Sequence, residues 1–339
     1  MSKIALISDI HIGQTINRTD IDTFHEIHIN YAKWLANILD KNGISNIGIA
    51  GDFFHDRSKI SLTTLDVGHT FLDILRDKNI VISTGNHDCY YLDNSSINAL
   101  SVFKTRKNVT IVDQKVEEID GITYCPWGTT IDQIPDNSRI VAGHWDAASF
   151  EMQGGKICTH GIKVADLMEK CQIAFSGHFH KTQKRVYGGK TFRYLGSVCQ
   201  LSFGESGNNN YVHILDTDTL KVSQIRNDAS PIFKYVRSES DIVDIKNNFI
   251  SIVSDDDELK QKILSNQPKF LKTELVDIIK TSVKDSTEDL TVSEFKLVNV
   301  PDVIEDFVER IDNTEWNLTD DERKTISQRM IVSYKQFEN

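Results

Sequence analysis

Two hydrophobic periods alternate along the first ninety residues. Residues 3–8 (KIALIS) form a short apolar run that stops at Asp9-Ile10-His11. Over 21–39, Ile21, Phe24, Ile27, Tyr31, Leu35 and Ile38 recur at helical spacing. Residues 44–50 (ISNIGIA) read as a buried strand ending in Gly51-Asp52. A second helix, about 61–76, carries Leu62, Leu65, Phe71, Leu72 and Leu75, and a third strand, 80–83, runs into Thr84-Gly85-Asn86-His87-Asp88. This β-α-β-α-β order predicts a parallel sheet with helices on its faces.

Strand-like runs continue at 109–112, 122–125, 140–143 and 173–176; the last two end in Gly143-His144 and Ser176-Gly177-His178-Phe179-His180. Further candidates at 183–187, 191–195, 210–215 and 221–225 are joined by Gly- and Asn-rich turns, which closes a main domain at 1–228. Residues 229–285 suggest a small α+β domain, with strands near 233–237 and 249–253 and one or two helices between 256 and 284. The polar stretch 285–292 suits a linker, so 286–339 is expected to hold a linker and C-terminal helices. The first of these starts at Pro301 with Val303, Ile304, Phe307, Val308 and Ile311 on one face. The second opens on the capping-box pattern Thr319-x-x-Glu322 and carries Ile326, Met330, Tyr334 and Phe337.

Charge sharpens this division. The net charge is −11, and residues 239–339 hold 23 Asp/Glu against 13 Lys/Arg, while residues 1–238 hold 26 against 25. A non-specific nucleic-acid coat is therefore disfavoured, yet the near-neutral first part leaves room for local basic patches. Five cysteines without a C-x-x-C pair read as free thiols in a reducing compartment. No apolar run reaches the ~18 residues of a membrane span, and the early first motif leaves no room for a signal peptide. The expected location is the cytoplasm, that of a host cell if the chain is phage-encoded.

The polar residues that break the apolar runs carry the chemistry. Five strand ends deliver Asp9/His11, Asp52, Asn86/His87, His144 and His178/His180. Ligands gather at the carboxyl ends of strands in an α/β sheet, so residues distant in sequence can converge. Imidazole and carboxylate suit Mn²⁺, Fe²⁺ or Zn²⁺ with positions left open for water. Each motif alone is weak, since D-x-H and G-N-H-D also fit ordinary turns. All five, in order and each at a strand end, are hard to reconcile with coincidence.

Together, D-x-H, G-D, G-N-H-D, G-H and G-H-x-H over residues 9–180 resemble the calcineurin-like metallophosphoesterase superfamily. Gly51-Asp52-Phe53-Phe54-His55-Asp56-Arg57 is similar to the form in the SbcD-type nuclease subunit of recombination complexes, and Gly143-His144-Trp145 to that of phage recombination endonucleases. The Ser/Thr phosphatase patterns G-D-x-V-D-R-G and G-N-H-E are absent. The resemblance implies a metallophosphoesterase β-sandwich flanked by helices, with the 229–285 domain as a cap. It assigns one divalent ion to Asp9, His11, Asp52 and His180, and a second to Asp52, Asn86, His144 and His178, with Mn²⁺ the expected species and Asp52 shared. His87 becomes the residue that meets the scissile phosphate, with Asp88 orienting it and His55 flanking the phosphate. His160 stays unassigned, and His25, His28, His69 and His213 are expected to pack or face solvent.

For partners, the resemblance implies DNA, an SbcC-type coiled-coil ATPase gripped by the C-terminal helices, and a homodimer through helices of the catalytic domain. Arg57, Lys59, Lys104, Arg106, Lys107, Lys181, Lys184 and Arg185 are candidates for contacting a DNA backbone, each equally well read as solvated surface. The implied activity is an exo- and endonuclease acting in DNA recombination, repair and replication. A small-molecule phosphodiesterase or phosphatase, and a scaffold that has lost the chemistry, remain as competitors.

Overall fold

The computed structural model describes residues 3–15, 21–91, 93–242, 248–253, 256–265, 270–272, 308 and 319–337. The chain divides into two compact units, Met1–Val276 and Asp277–Asn339. In the first, β1 (Lys3–Ile7), α1 (Ile21–Lys41), β2 (Asn46–Ala50), α2 (Leu62–Ile74), β3 (Asn79–Ser83) and β4 (Val109–Val112) follow the predicted alternation. β1 to β4 are mutually parallel, and β11 (Tyr211–Asp216) and β12 (Val222–Arg226) extend the sheet antiparallel on the β1 side.

A second six-stranded sheet is ordered β5-β6-β7-β8-β10-β9. Its members are β5 (Glu117–Ile119), β6 (Ile122–Tyr124), β7 (Ser138–His144), β8 (Cys171–Gly177), β9 (Gln183–Tyr187) and β10 (Lys190–Tyr194), and β6, β7, β8 and β10 run parallel. The two sheets pack face to face. Ile4, Leu6, Ala50, Val81 and Val112 of one meet Ile122, Tyr124, Ile140, Ala142, Ile173 and Phe175 of the other. The alternate residues of the first sheet, among them Ala5, Ile7, Ile47, Ile49, Ile80 and Ile82, are buried with Phe24, Tyr31 and Leu35 of α1 and Phe71 and Leu72 of α2. Both faces of β1, β2 and β3 are thus covered, which is why these strands read as unbroken apolar runs. On the outer face of the second sheet, Val164, Leu167 and Met168 of α3 (Val164–Lys170) join Val141, Ala174, Phe192 and Tyr194.

A third, parallel sheet holds β13 (Phe233–Val236), β14 (Phe249–Ile252) and β15 (Phe270–Lys272). Leu259 and Ile263 of α4 (Asp257–Ser265) cover Val236, Ile250 and Ile252. Phe233 and Phe249 stack with centroids 4.4 Å apart and belong to the core that α1 covers. The second unit contributes α5 (Asp320–Phe337). Its capping box forms as the sequence indicates, with Glu322 N donating to Thr319 Oγ1 and Thr319 N to Glu322 Oε2.

Three elements depart from the sequence expectation. β5 is a three-residue edge strand of mostly polar residues, and α3 spans only two turns, so neither carries a readable period. β15 replaces part of the helical stretch expected between 256 and 284. The linker at 285–292 lies outside the described residues, as does the helix expected from Pro301, apart from Val308. No described helix is long and apolar enough to cross a membrane.

Candidate metal centre

The carboxyl ends of β1, β2 and β3, adjacent in one sheet, and of β7 and β8, adjacent in the other, open onto a single site. Backbone bonds beyond the strands fix the first two loops together: Asp9 N donates to Gly51 O, His11 N to Asp52 O and Ile12 N to Phe53 O, at 3.1, 3.0 and 2.9 Å. Asp9, His11 and Asp52 take φ of 53°, 53° and 54°, and His178 takes 88°. Left-handed backbone at four non-glycine residues is costly, and such strain accumulates where side chains are aimed at a ligand. Gly85 meets a steric demand: a Cβ there would lie 2.1 Å from Asp52 Oδ1.

The seven residues assigned as ligands by resemblance come together here. His11 Nε2 lies 3.0 Å from His180 Nε2, 3.6 Å from Asp52 Oδ2 and 4.0 Å from Asp9 Oδ1. Beside them, Asn86 Oδ1 is 3.0 Å from both His144 Nε2 and His178 Nδ1, and His144 Nε2 is 3.3 Å from Asp52 Oδ2. Asp9, His11, Asp52 and His144 are almost wholly buried. Nitrogen and oxygen lone pairs facing one another at these distances, without bulk water, are what divalent cations reconcile, so the donor set fits divalent metal. Asp52 lies between the two groups.

The far side of three of the four histidines is fixed as well. His144 Nδ1 donates to Ala50 O at 2.8 Å, His178 Nε2 to Asp146 Oδ1 at 2.8 Å and His180 Nδ1 to the buried Glu205 Oε1 at 2.7 Å. Such bonds set the tautomer that leaves the opposite nitrogen free to ligate. The sequence reading missed Asp146 and Glu205. Asp146, two residues beyond His144, had proximity as a clue, but Glu205 had none, because its partner lies 25 residues away.

Electrostatics follows from this packing. Burial alone would raise the Asp52 carboxyl, but His144, by charge and hydrogen bond, and His11 hold it far below the usual carboxylate range. Burial lowers His11 well below 6.5 and His55 to about 4, so both rings are neutral at pH 7. Burial would also lower His144 and His180. It is outweighed at His144 by Asp52 and Asp9, and at His180 by Glu205, Asp9 and Asp52, so both rise to about 9.

A cation held by His144 and His180 would therefore have to displace their protons below pH 9. Apparent affinity is expected to fall as pH drops from 9 to 6.5, by up to about tenfold per pH unit for each proton displaced. Calorimetry in buffers of different ionisation heat measures the released protons; a flat pH profile would contradict the assignment. Glu205→Gln removes the charge that raises His180, so it should weaken metal binding ~10–100-fold and flatten that slope. An unchanged binding isotherm would leave Glu205 without a role at the site.

His87 borders the ligand set: its ring centroid lies 4.9 Å from that of His11, and the ligand atoms of His11, His55 and His87 all lie within 4.8 Å of one another. Its N donates to Asp52 Oδ1 at 2.8 Å and its Nδ1 to His55 O at 2.5 Å, while the two rings stack at 5.4 Å. Asp88 was expected to orient His87, but its oxygens accept from Phe54 N and Gly85 N at 3.0 and 2.9 Å, which ties two site loops together. The His55 carbonyl takes the orienting part instead. Burial and the neighbouring Asp52 charge push Asp88 up to about 7.

The basic candidates are dispersed in use. Lys104 pairs with Asp113, Arg106 with Asp73 and Lys181 with Glu151, and Arg185 donates to Ser149 O and lies over the Phe150 ring. Arg57 is half-buried, whereas Lys59, Lys107 and Lys184 are exposed and, among the described residues, have no ion-pair partner. Of the histidines expected to pack, His28 Nε2 donates to Ile10 O and His213 Nε2 to Leu195 O, and burial lowers both to about 4.

The calcineurin-like phosphoesterase superfamily domain matches residues 2–220 of this sequence. The chain belongs to that superfamily. This phosphoesterase is 24% identical over 347 residues to exonuclease subunit 1 of Enterobacteria phage T4, an alignment covering 96% of each chain. A solved archaeal phosphodiesterase matches 66% of this chain and 99% of its own at 17% identity, with a TM-score of 0.36. The superfamily is metal-dependent, and this phosphoesterase contains His/Asp groups able to hold metal.

Proposed function

We propose that this phosphoesterase is a two-cation DNA nuclease, with exo- and endonuclease activity, and the nuclease subunit of an SbcC–SbcD-type complex in DNA recombination, repair and replication. The observation that carries the hydrolytic half is the meeting of Asp9, His11, Asp52, Asn86, His144, His178 and His180 from five segments around one shared carboxylate. Asp9, His11, Asp52 and His180 would hold one cation, and Asp52, Asn86, His144 and His178 the other; the mixed oxygen–nitrogen donors suit Mn²⁺, Fe²⁺ or Zn²⁺, and Mn²⁺ is the species the family resemblance implies. Such a pair supplies Lewis acidity at phosphoryl oxygens and lowers the pKa of coordinated water.

The protein's own residues do the rest. His87, held through Nδ1, keeps Nε2 for proton transfer to the leaving oxygen, while the stacked, neutral His55 fixes it from behind. Asp88 keeps the Phe54 and Gly85 loops in register. DNA as the substrate is supported by the phage exonuclease subunit, similar over nearly its whole length. Among the candidates, Arg57, Lys59, Lys107 and Lys184 have no ion-pair partner among the described residues and so keep charge for a phosphate backbone.

The deciding assay offers Mn²⁺-loaded protein labelled linear DNA and a generic phosphodiester ester side by side. Cleavage of DNA at the higher kcat/KM supports the nuclease; ester hydrolysis alone would point to a small-molecule phosphodiesterase. For the partner, α5 and the residues before it are the proposed grip on an ATPase coiled coil, a helix-in-groove contact. Deleting 293–339 is expected to abolish co-purification with that ATPase and to spare basal hydrolysis. Undiminished association would locate the contact elsewhere.

A further inference from the structure

We infer that Asp146, Cys158 and His160 form a third cation site, selective for a thiophilic divalent ion of the Zn²⁺ class, whose occupation inhibits the neighbouring centre through Asp146. Their ligand atoms all lie within 4.8 Å of one another. His160 Nε2 is 3.6 Å from Asp146 Oδ1, and Cys158 Sγ is 3.8 Å from His160 Nδ1 and donates to His160 O at 3.3 Å. Ion entry breaks that S–H···O bond, releases the thiol proton to solvent and forms a sulfur–metal bond.

Backbone pairing holds the three groups before any ion arrives. Ser149 N donates to Cys158 O, Cys158 N to Phe150 O, Ala148 N to Ile162 O and Ile162 N to Asp146 O, at 2.7, 2.8, 3.2 and 2.9 Å. Gly161, at φ +85°, lets the two segments close, because a Cβ there would stand 2.3 Å from Asp146 O. Cys158 is buried and His160 is 65% exposed, so the site has a closed floor and a route to solvent. Three protein ligands leave a fourth position open.

The two centres differ in hardness. The seven-residue set offers oxygen and nitrogen only, whereas this one adds a thiolate, which favours Zn²⁺ over Mn²⁺ or Mg²⁺. They also share an atom: Asp146 Oδ1, near His160, is the acceptor that orients His178 Nε2 at 2.8 Å. A cation that draws Asp146 toward Cys158 and His160 loosens His178, a change of the kind that costs ~10–100-fold in activity. The inhibitory half rests on the proposed role of His178; the binding half does not.

The test titrates Co²⁺ into chelator-treated full-length protein and follows sulfur-to-cobalt charge-transfer absorption in the near ultraviolet. Wild type should develop the band, Asp52→Ala should keep it, and Cys158→Ser and His160→Ala should lose it; the exposed His160 makes the second variant safe for folding. Zn²⁺ added to Mn²⁺-loaded protein should then reduce phosphodiester hydrolysis ~10–100-fold in wild type and little in Cys158→Ser. No band in wild type, or an equal band in Cys158→Ser, overturns the site, since Cys89, Cys125, Cys171 and Cys199 would be its remaining sources. Equal zinc inhibition in Cys158→Ser overturns the coupling. Because the absorption needs no turnover, the cobalt titration decides the site whether or not the protein cleaves DNA.

Discussion

Asp52→Ala should yield a folded chain that retains neither cation and has no measurable hydrolysis. Asp52 Oδ2 stands 3.6 Å from His11 Nε2 and 3.3 Å from His144 Nε2, which places one carboxylate within reach of both donor groups. Its other oxygen accepts from His87 N, so the same substitution frees the residue proposed to move the proton. The expected fall in rate exceeds the ~10²–10⁴-fold attributable to a proton-transfer residue. Elemental analysis after dialysis measures the metal, and circular dichroism checks the fold. A Mn²⁺-loaded variant that keeps even one tightly bound Mn²⁺ would show that Asp52 is not shared.

His87→Ala has the opposite signature. His87 borders His11 but is not one of the seven proposed ligands, and its Nδ1 is held by His55 O, so metal content should stay at the wild-type level. Turnover should fall ~10²–10⁴-fold, chiefly in kcat. The deficit should shrink for an ester whose leaving group needs no proton, such as a nitrophenolate, because the lost function is protonation of the departing oxygen. Wild-type rates on DNA, or an equal deficit on both substrates, would remove His87 from proton transfer and leave it a structural residue.

Much of this organisation could be read from residue order alone, and the reason is local. β1, β2 and β3 are covered on both faces, so the polar residues just past each apolar run mark the sheet edge, and Asp9, Asp52 and Asn86 all stand two or three residues beyond their strands. The helical period of α1 and α2 is equally plain. What stayed hidden depends on distance in the chain. The division of twelve strands into two sheets is set by pairings such as β1 with β11, more than two hundred residues apart, and no local pattern carries that information. Glu205 belongs to the same class, since its charge matters only once the fold presents it to His180. The role expected of Asp88 failed for a related reason: adjacency in sequence suggested His87, whereas the turn sends its carboxylate back to Phe54 and Gly85.

The left-handed residues at positions 9, 11, 52 and 178 carry an evolutionary consequence. Each carries a conformational penalty of about 1 kcal/mol that glycine would relieve. Selection for heat resistance alone, blind to turnover, should therefore push these four positions toward glycine and produce sturdier but inert descendants. Their persistence as aspartate and histidine in a lineage would itself be a record that catalysis was being selected.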